Sequence, residues 1–189
     1  APTRFPYDHP LRWLLLMAAG HVLMRLLASP AVKWDEAEQV LWSQQLAWGY
    51  GAQPPLYTWL QWGVNQLLGP SVLSLSLLKH SLMALTYIFM YLAGRELLGP
   101  RGAWWAAAAL LLMPPFGWYS VRDQTHTVLV TAATCAAWWL LLRIVRRPRQ
   151  SDFAWLGVAC AVGMLSKYSF ALVAGAMLVA ALSVPQARR

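Results

Sequence analysis

The segment Trp34-Asp35-Glu36-Ala37-Glu38 sets adjacent carboxylates beside Lys33, just after an apolar run that ends at Ser29. A carboxylate so placed can serve as a general base toward a hydroxyl. It can equally close a helix. Asp35 is a good N-cap, Glu38 three residues on would complete a capping box, and acids in a first turn complement the helix dipole. The two roles are compatible, because amides that cap a carboxylate also orient it, although they lower its basicity.

A further acid, Asp123, lies in Ser120-Val121-Arg122-Asp123-Gln124-Thr125-His126, where the chain enters another apolar run. His126, three residues on, is expected to share its helix face, one turn deeper. The competing reading is a cap, or an Arg122–Asp123 surface pair of small energetic weight. Lys167 interrupts an apolar stretch, which calls either for a functional partner or for snorkelling to the interface. His21 with Arg25, and Lys79 with His80, lie inside apolar runs and read first as groups paired within a bundle. Cys135 and Cys160 have neither CxxC nor CxxH spacing and read as small buried hydrophobes, not as a disulfide or a zinc site.

The elements that position these residues are set by a composition foreign to a soluble domain: of 189 residues, 59% are hydrophobic and only 12% charged. The net charge of +8 does not point to nucleic acid, because long apolar runs separate the bases. A bilayer core needs about 20 apolar helical residues, and six runs are candidates. These are Leu11 to Ser29, Val72 to Gly94, Ala103 to Tyr119, Thr125 to Leu142, Phe153 to Tyr168 and Phe170 to Val184. The last two read either as two short helices or as one long helix with a break. The first is too long and too polar for a signal peptide.

Orientation follows from the bases. With a cytoplasmic N-terminus, Arg4, Arg12, Arg95, Arg101, Arg143, Arg146, Arg147, Arg149, Arg188 and Arg189 all fall inside. Lys33, Arg122 and Lys167 then fall at the outer face, together with Asp35, Glu36, Glu38 and Asp123. The long connection 30–70 predicts two interfacial amphipathic helices, Glu36 to Trp48 and Leu56 to Leu68, with tryptophans at headgroup level. The expected fold is an all-α, polytopic membrane helix bundle of about six spans. It forms a single transmembrane module over 1–189 whose first outer loop carries the Asp-Glu motif.

A span, an outer Asp35-Glu36, then Trp42-Ser43 and Gly49-Tyr50-Gly51-Ala52-Gln53-Pro54-Pro55-Leu56 together resemble the GT-C membrane glycosyltransferases. In particular they resemble glycosyltransferase family 39, which includes dolichyl-phosphate-mannose protein mannosyltransferases and lipid A aminoarabinose transferases. Gly163-Met164-Leu165-Ser166-Lys167-Tyr168 is similar to that family's Gly-Leu-x-x-Lys-Tyr/Thr segment. The resemblance implies inverting transfer of a sugar from a polyprenyl-phosphate donor to an acceptor hydroxyl on a lipid, glycan or protein, at the outer face of the bacterial inner membrane. It implies Asp35 as the base and Glu36 as its neighbour in the motif. Asp123, or His126 in its place, would be the second acid position, and Lys167 and Arg122 would meet the donor phosphate. Some relatives carry an acidic and a basic residue before Pro-Pro, where the acid ligates a metal. Ala52 and Gln53 stand there in this chain, so neither metal nor cofactor is expected and Gln53 is at most a secondary site residue. The resemblance also implies a C-terminal continuation or a partner subunit. The competing readings are a small transporter or lipid-handling protein, and a non-catalytic subunit with a degenerate transferase fold.

Overall fold

The computed structural model describes residues 10–183. Arg4, Arg188, Arg189 and the final residue of the expected sixth run, Val184, lie outside the described residues. The fold is all-α: α1 (Pro10–Ala28), α2 (Trp34–Trp42), α3 (Leu56–Leu68), α4 (Val72–Ala109), α5 (Ser120–Arg122), α6 (His126–Arg146), α7 (Gln150–Ser166) and α8 (Phe170–Ser183).

Burial is inverted relative to a soluble protein. Arg25, Glu36, Gln39, Gln61, Lys79 and His80 are buried, while Leu27, Leu172 and Val179 are at least 66% exposed. Leucine faces outward at no cost where the surroundings are lipid, and polar groups turn inward to find partners. Two segments, Val72–Leu112 and His126–Arg146, are long and apolar enough to cross a membrane. The other expected spans correspond to α1, α7 and α8, of 19, 17 and 14 residues.

The second and third expected runs form one hairpin. Ser71 opens α4 by exchanging bonds with Ser74, each hydroxyl accepting the other's backbone N–H at 3.1 Å. The helix breaks at Gly99, whose φ of 70° is followed by Pro100. The returning limb packs Ala103 and Ala107 beside Tyr91. Past it, Pro114 and Pro115 disrupt regular winding. The chain passes through a 3-10 turn at Leu110–Leu112 and a π turn at Pro115–Tyr119 before α5.

Helix α6 is central, flanked by α4 and α7. Ala132, Ala133, Ala136 and Ala137 line its buried faces, and such small residues permit close helix approach. The last two runs are separate helices. The Phe170 ring lies so close over Gly163 that a Cβ there would come within 2.6 Å of it, and α8 folds back on α7 around this contact.

The helices of the 30–70 connection correct one expectation and match another. Helix α3 has the expected limits. Helix α2 ends at Trp42, six residues short of Trp48, because side chains capture the backbone beyond it. The Ser43 hydroxyl donates to the Gln39 carbonyl. The Tyr50 hydroxyl donates to Gln45 O at 2.7 Å and accepts from Ala47 N–H at 2.8 Å. The cap differs as well: Lys33 is the N-cap, and Glu36, not Glu38, reaches back to the Lys33 N–H at 3.4 Å. Asp35 therefore sits inside the first turn, free of capping.

Candidate active site

The polar side of α2 faces inward. Glu36, Gln39 and Ser43 are buried, whereas Trp34 is 84% and Leu41 66% exposed. The spacing of three and four residues puts the polar trio on one helix face. In lipid this arrangement is stable, with the apolar face outward and the polar face satisfied by the bundle.

Each member of that face has partners. Gln39 Nε2 lies 3.0 Å from His126 Nε2 at the start of α6, and Gln39 Oε1 accepts from the Thr58 hydroxyl at 3.0 Å. Ser43 Oγ accepts from Asn65 Nδ2 at 2.9 Å, and Asn65 Oδ1 accepts from Gln61 and from the Ser74 hydroxyl. These bonds tie α2 to α3, α4 and α6, so its orientation is fixed along its length.

Asp35 is half-buried, and residues from distant parts of the chain converge on it. The Thr125 backbone amide and the charges of Asp123, Lys167 and Lys79 act on its carboxylate. Burial and the Asp123 charge together raise Asp35 above the ordinary carboxylate range, against the opposing pull of the Thr125 amide, Lys167 and Lys79. A carboxylate raised in this way is a better base than a free one.

Lys167 occupies the break between α7 and α8, where its backbone N–H closes on Gly163 O at 3.1 Å. Its ammonium donates to Thr127 Oγ1 at 3.1 Å, which points it toward the start of α6 and not outward to the interface. Arg122 ends α5 and Asp123 lies in the turn between it and α6, with Asp123 N–H bonded to Tyr119 O at 2.9 Å. Asp123 is not on the α6 helix, so it and His126 do not share a helix face as expected. His126 is buried between Gln39 and the Trp42 and Tyr57 rings, whose centroids lie 6.4 and 5.2 Å from its own. Arg122 Nε and Asp123 Oδ1 are buried atoms without protein partners. Gln53 bonds Tyr50 through both backbone groups, and none of its hydrogen bonds reaches these carboxylates.

Glu36 is placed differently from Asp35. One carboxylate oxygen accepts from Arg25 at 2.7 Å and the other from Lys79 at 2.6 Å, all three side chains being buried. Burial alone would raise the Glu36 carboxyl, but the Arg25 and Lys79 hydrogen bonds and charges outweigh it and hold it below its usual value. Arg25 also closes the end of α1, donating to Ser29 O at 2.6 Å and Ala31 O at 3.0 Å. Tyr57 lies near both acids. Its burial first, then the Glu36 and Asp35 charges, push its hydroxyl far above the ordinary phenol value.

The contributions of Thr125, Thr127 and Gln39 escape a reading of residue types. A backbone amide has no sequence signature, and the two side chains acquire their roles through tertiary contact. Among the described residues, no three His, Cys, Asp or Glu side chains gather as a metal-binding group.

A family described as dolichyl-phosphate-mannose-protein mannosyltransferase matches residues 52–189. The chain is 35% identical to lipopolysaccharide core galacturonosyltransferase RgtB of Rhizobium johnstonii, over 92% of this chain and 36% of that protein. It is 36% identical to lipopolysaccharide core galacturonosyltransferase RgtA of the same organism, over 93% and 36%. With lipid A galacturonosyltransferase RgtD, also of that organism, the identity is 30%, over 92% and 38%. The chain thus spans little more than a third of the length of these relatives. No solved structure matches it significantly. On the family match and on alignments that run through the Asp35 segment as well, the chain belongs to the dolichyl-phosphate-mannose-protein mannosyltransferase family of membrane glycosyltransferases.

Proposed function

We propose that this chain carries the acceptor-activating side of an inverting glycosyltransferase that moves a sugar from a polyprenyl-phosphate donor to a hydroxyl of a lipopolysaccharide acceptor. The single observation that carries this reading is the convergence on Asp35 of Asp123, the Thr125 amide and Lys167. An acid with raised basicity beside cations is what a displacement at the anomeric carbon needs. The names of the relatives supply the sugar, galacturonic acid, and the acceptor class, lipid A or core oligosaccharide.

In this reading Asp35 takes the acceptor hydroxyl proton as the oxygen attacks the anomeric carbon. The bond from that carbon to the phosphate oxygen breaks, and polyprenyl phosphate leaves with the bonding pair. Lys167 and Arg122 stabilise the departing phosphate. Arg122 is the better suited of the two for bidentate contact, and its Nε is free of protein partners. Asp123 raises Asp35 and competes for the same cations. Helices α1, α7 and α8 join the two long apolar segments as spans, giving the bacterial inner membrane about six crossings with a cytoplasmic N-terminus and the cleft outside.

The test uses the intact enzyme in proteoliposomes with polyprenyl-phosphate galacturonic acid and a lipid A–core acceptor. Product whose anomeric configuration is opposite to that of the donor supports the reading. Retained configuration contradicts direct displacement.

A further inference from the structure

Glu36 cannot touch a substrate in this fold, since it is buried and both of its oxygens are taken. Its place is nevertheless decisive for the neighbouring acid. Consecutive helical residues point about 100° apart, so anchoring Glu36 against α1 and α4 leaves Asp35 a single direction. The anchor is also continuous with the turn itself. Arg25 holds the Ser29 and Ala31 carbonyls just beyond α1 with the same guanidinium that grips Glu36, and Glu36 reaches back to the Lys33 amide that opens α2. Two cations on one anion leave the cluster with an excess positive charge.

We propose that Arg25 and Lys79 are positioning residues for the transfer reaction: by holding Glu36 they fix the first turn of α2 and aim the Asp35 carboxylate toward Asp123 and Lys167. This inference rests on the reading of Asp35 as the base. The cluster acts on Asp35 in two ways. Geometrically it sets the direction of the carboxylate. Electrostatically, Lys79 adds a favourable charge to a group that otherwise faces Asp123, Lys167, the Thr125 amide and the Tyr57 hydroxyl.

The test compares kcat, donor KM and the acid limb of kcat in proteoliposomes of the intact enzyme, with polyprenyl-phosphate galacturonic acid as donor. Lys79→Met is expected to lower kcat by about 10²-fold, the loss typical of a misplacement near 1 Å, with donor KM nearly unchanged. It should also move the acid limb to higher pH, because a cation favouring ionised Asp35 is gone. Arg25→Lys, which keeps the charge but not the fork, should recover part of the turnover lost in Arg25→Met. Removing one partner of a buried pair can abolish folding, so the all-apolar combination Arg25→Met, Glu36→Leu, Lys79→Met is measured alongside, since such replacements keep folding intact. Its expected result is a folded protein of low kcat with a raised acid limb. Wild-type kcat in that combination, or Glu36→Gln as inactive as Asp35→Asn with Lys79→Met unimpaired, overturns the proposal. Asp35→Asn in parallel separates the two claims: full turnover there sinks the base assignment, whereas its loss with unimpaired Arg25 and Lys79 variants sinks only the clamp.

Discussion

Lys79 reaches Glu36 across 43 residues of chain and meets its carboxylate at 2.6 Å, inside the bundle. With Arg25 on the other oxygen, this contact binds α1, α2 and α4 at the point where the first loop leaves the bundle. The connection 30–70 is therefore held by a buried ionic cluster at the start of α2 and by an amide and hydroxyl network along the rest of α2.

Glu36→Leu alone leaves Arg25 and Lys79 buried with no counter-charge. The expected cost is about 3–5 kcal/mol of stability, read as a lower unfolding midpoint in detergent. The sign with pH follows from the depressed Glu36 carboxyl. Its contribution is fully present above the ordinary value of 4.5 and is lost as pH falls through the lower folded value. The Leu variant should lack this acid sensitivity. A midpoint within about 0.5 kcal/mol of the wild type would contradict the cluster's role.

The acid limb of kcat should lie above 3.8, the ordinary value for Asp35, because burial and Asp123 raise its carboxyl. Asp123→Asn removes a raising charge and should shift the limb down, while Lys167→Met removes a lowering one and should shift it up. Burial, the largest cause, persists in both variants, so neither shift should be complete. Steady-state rates across pH provide the check, and identical limbs in all three proteins would refute the coupling of these three charges.

Gln39→Leu should cost about 1–3 kcal/mol, since it leaves His126 and Thr58 without their shared partner in a buried setting. Thr58→Val in the same background should then add little, because the bond between them is already gone. A double-mutant cycle in unfolding free energy tests this coupling, and strict additivity would count against a connected network.

Gly163→Val should displace the Phe170 ring and with it the turn that presents Lys167. The expected signature is a higher donor KM together with reduced stability of about 1–3 kcal/mol, as for other overpacked sites. Donor titration and a thermal midpoint measure the two effects, and unchanged donor KM would separate the turn from phosphate binding.

Much of this was legible in the sequence. The apolar runs and α3 could be placed from periodicity and punctuation, because lipid-facing leucines and Gly/Pro breaks act locally. The Asp35, Asp123 and Lys167 segments stood out as polar residues where apolar ones would be expected. The end of α2 was not legible, since it depends on the Tyr50 hydroxyl folding back on Gln45 and Ala47. Nor was the division of labour between the adjacent acids. Both look alike in a motif, and only Arg25 and Lys79, arriving from other helices, distinguish the buried, ion-paired Glu36 from the half-buried Asp35. The two limbs of the hairpin at Gly99 were legible as separate apolar runs, but the helical course of the connection between Gly94 and Ala103 was not.

The central claim is that Asp35 removes the acceptor proton, and the direct measurement is the single-turnover rate of Asp35→Asn in proteoliposomes with radiolabelled polyprenyl-phosphate galacturonic acid. The account predicts a rate at least about 10²-fold below wild type, with donor binding and membrane insertion retained. A rate equal to that of the wild type would contradict it.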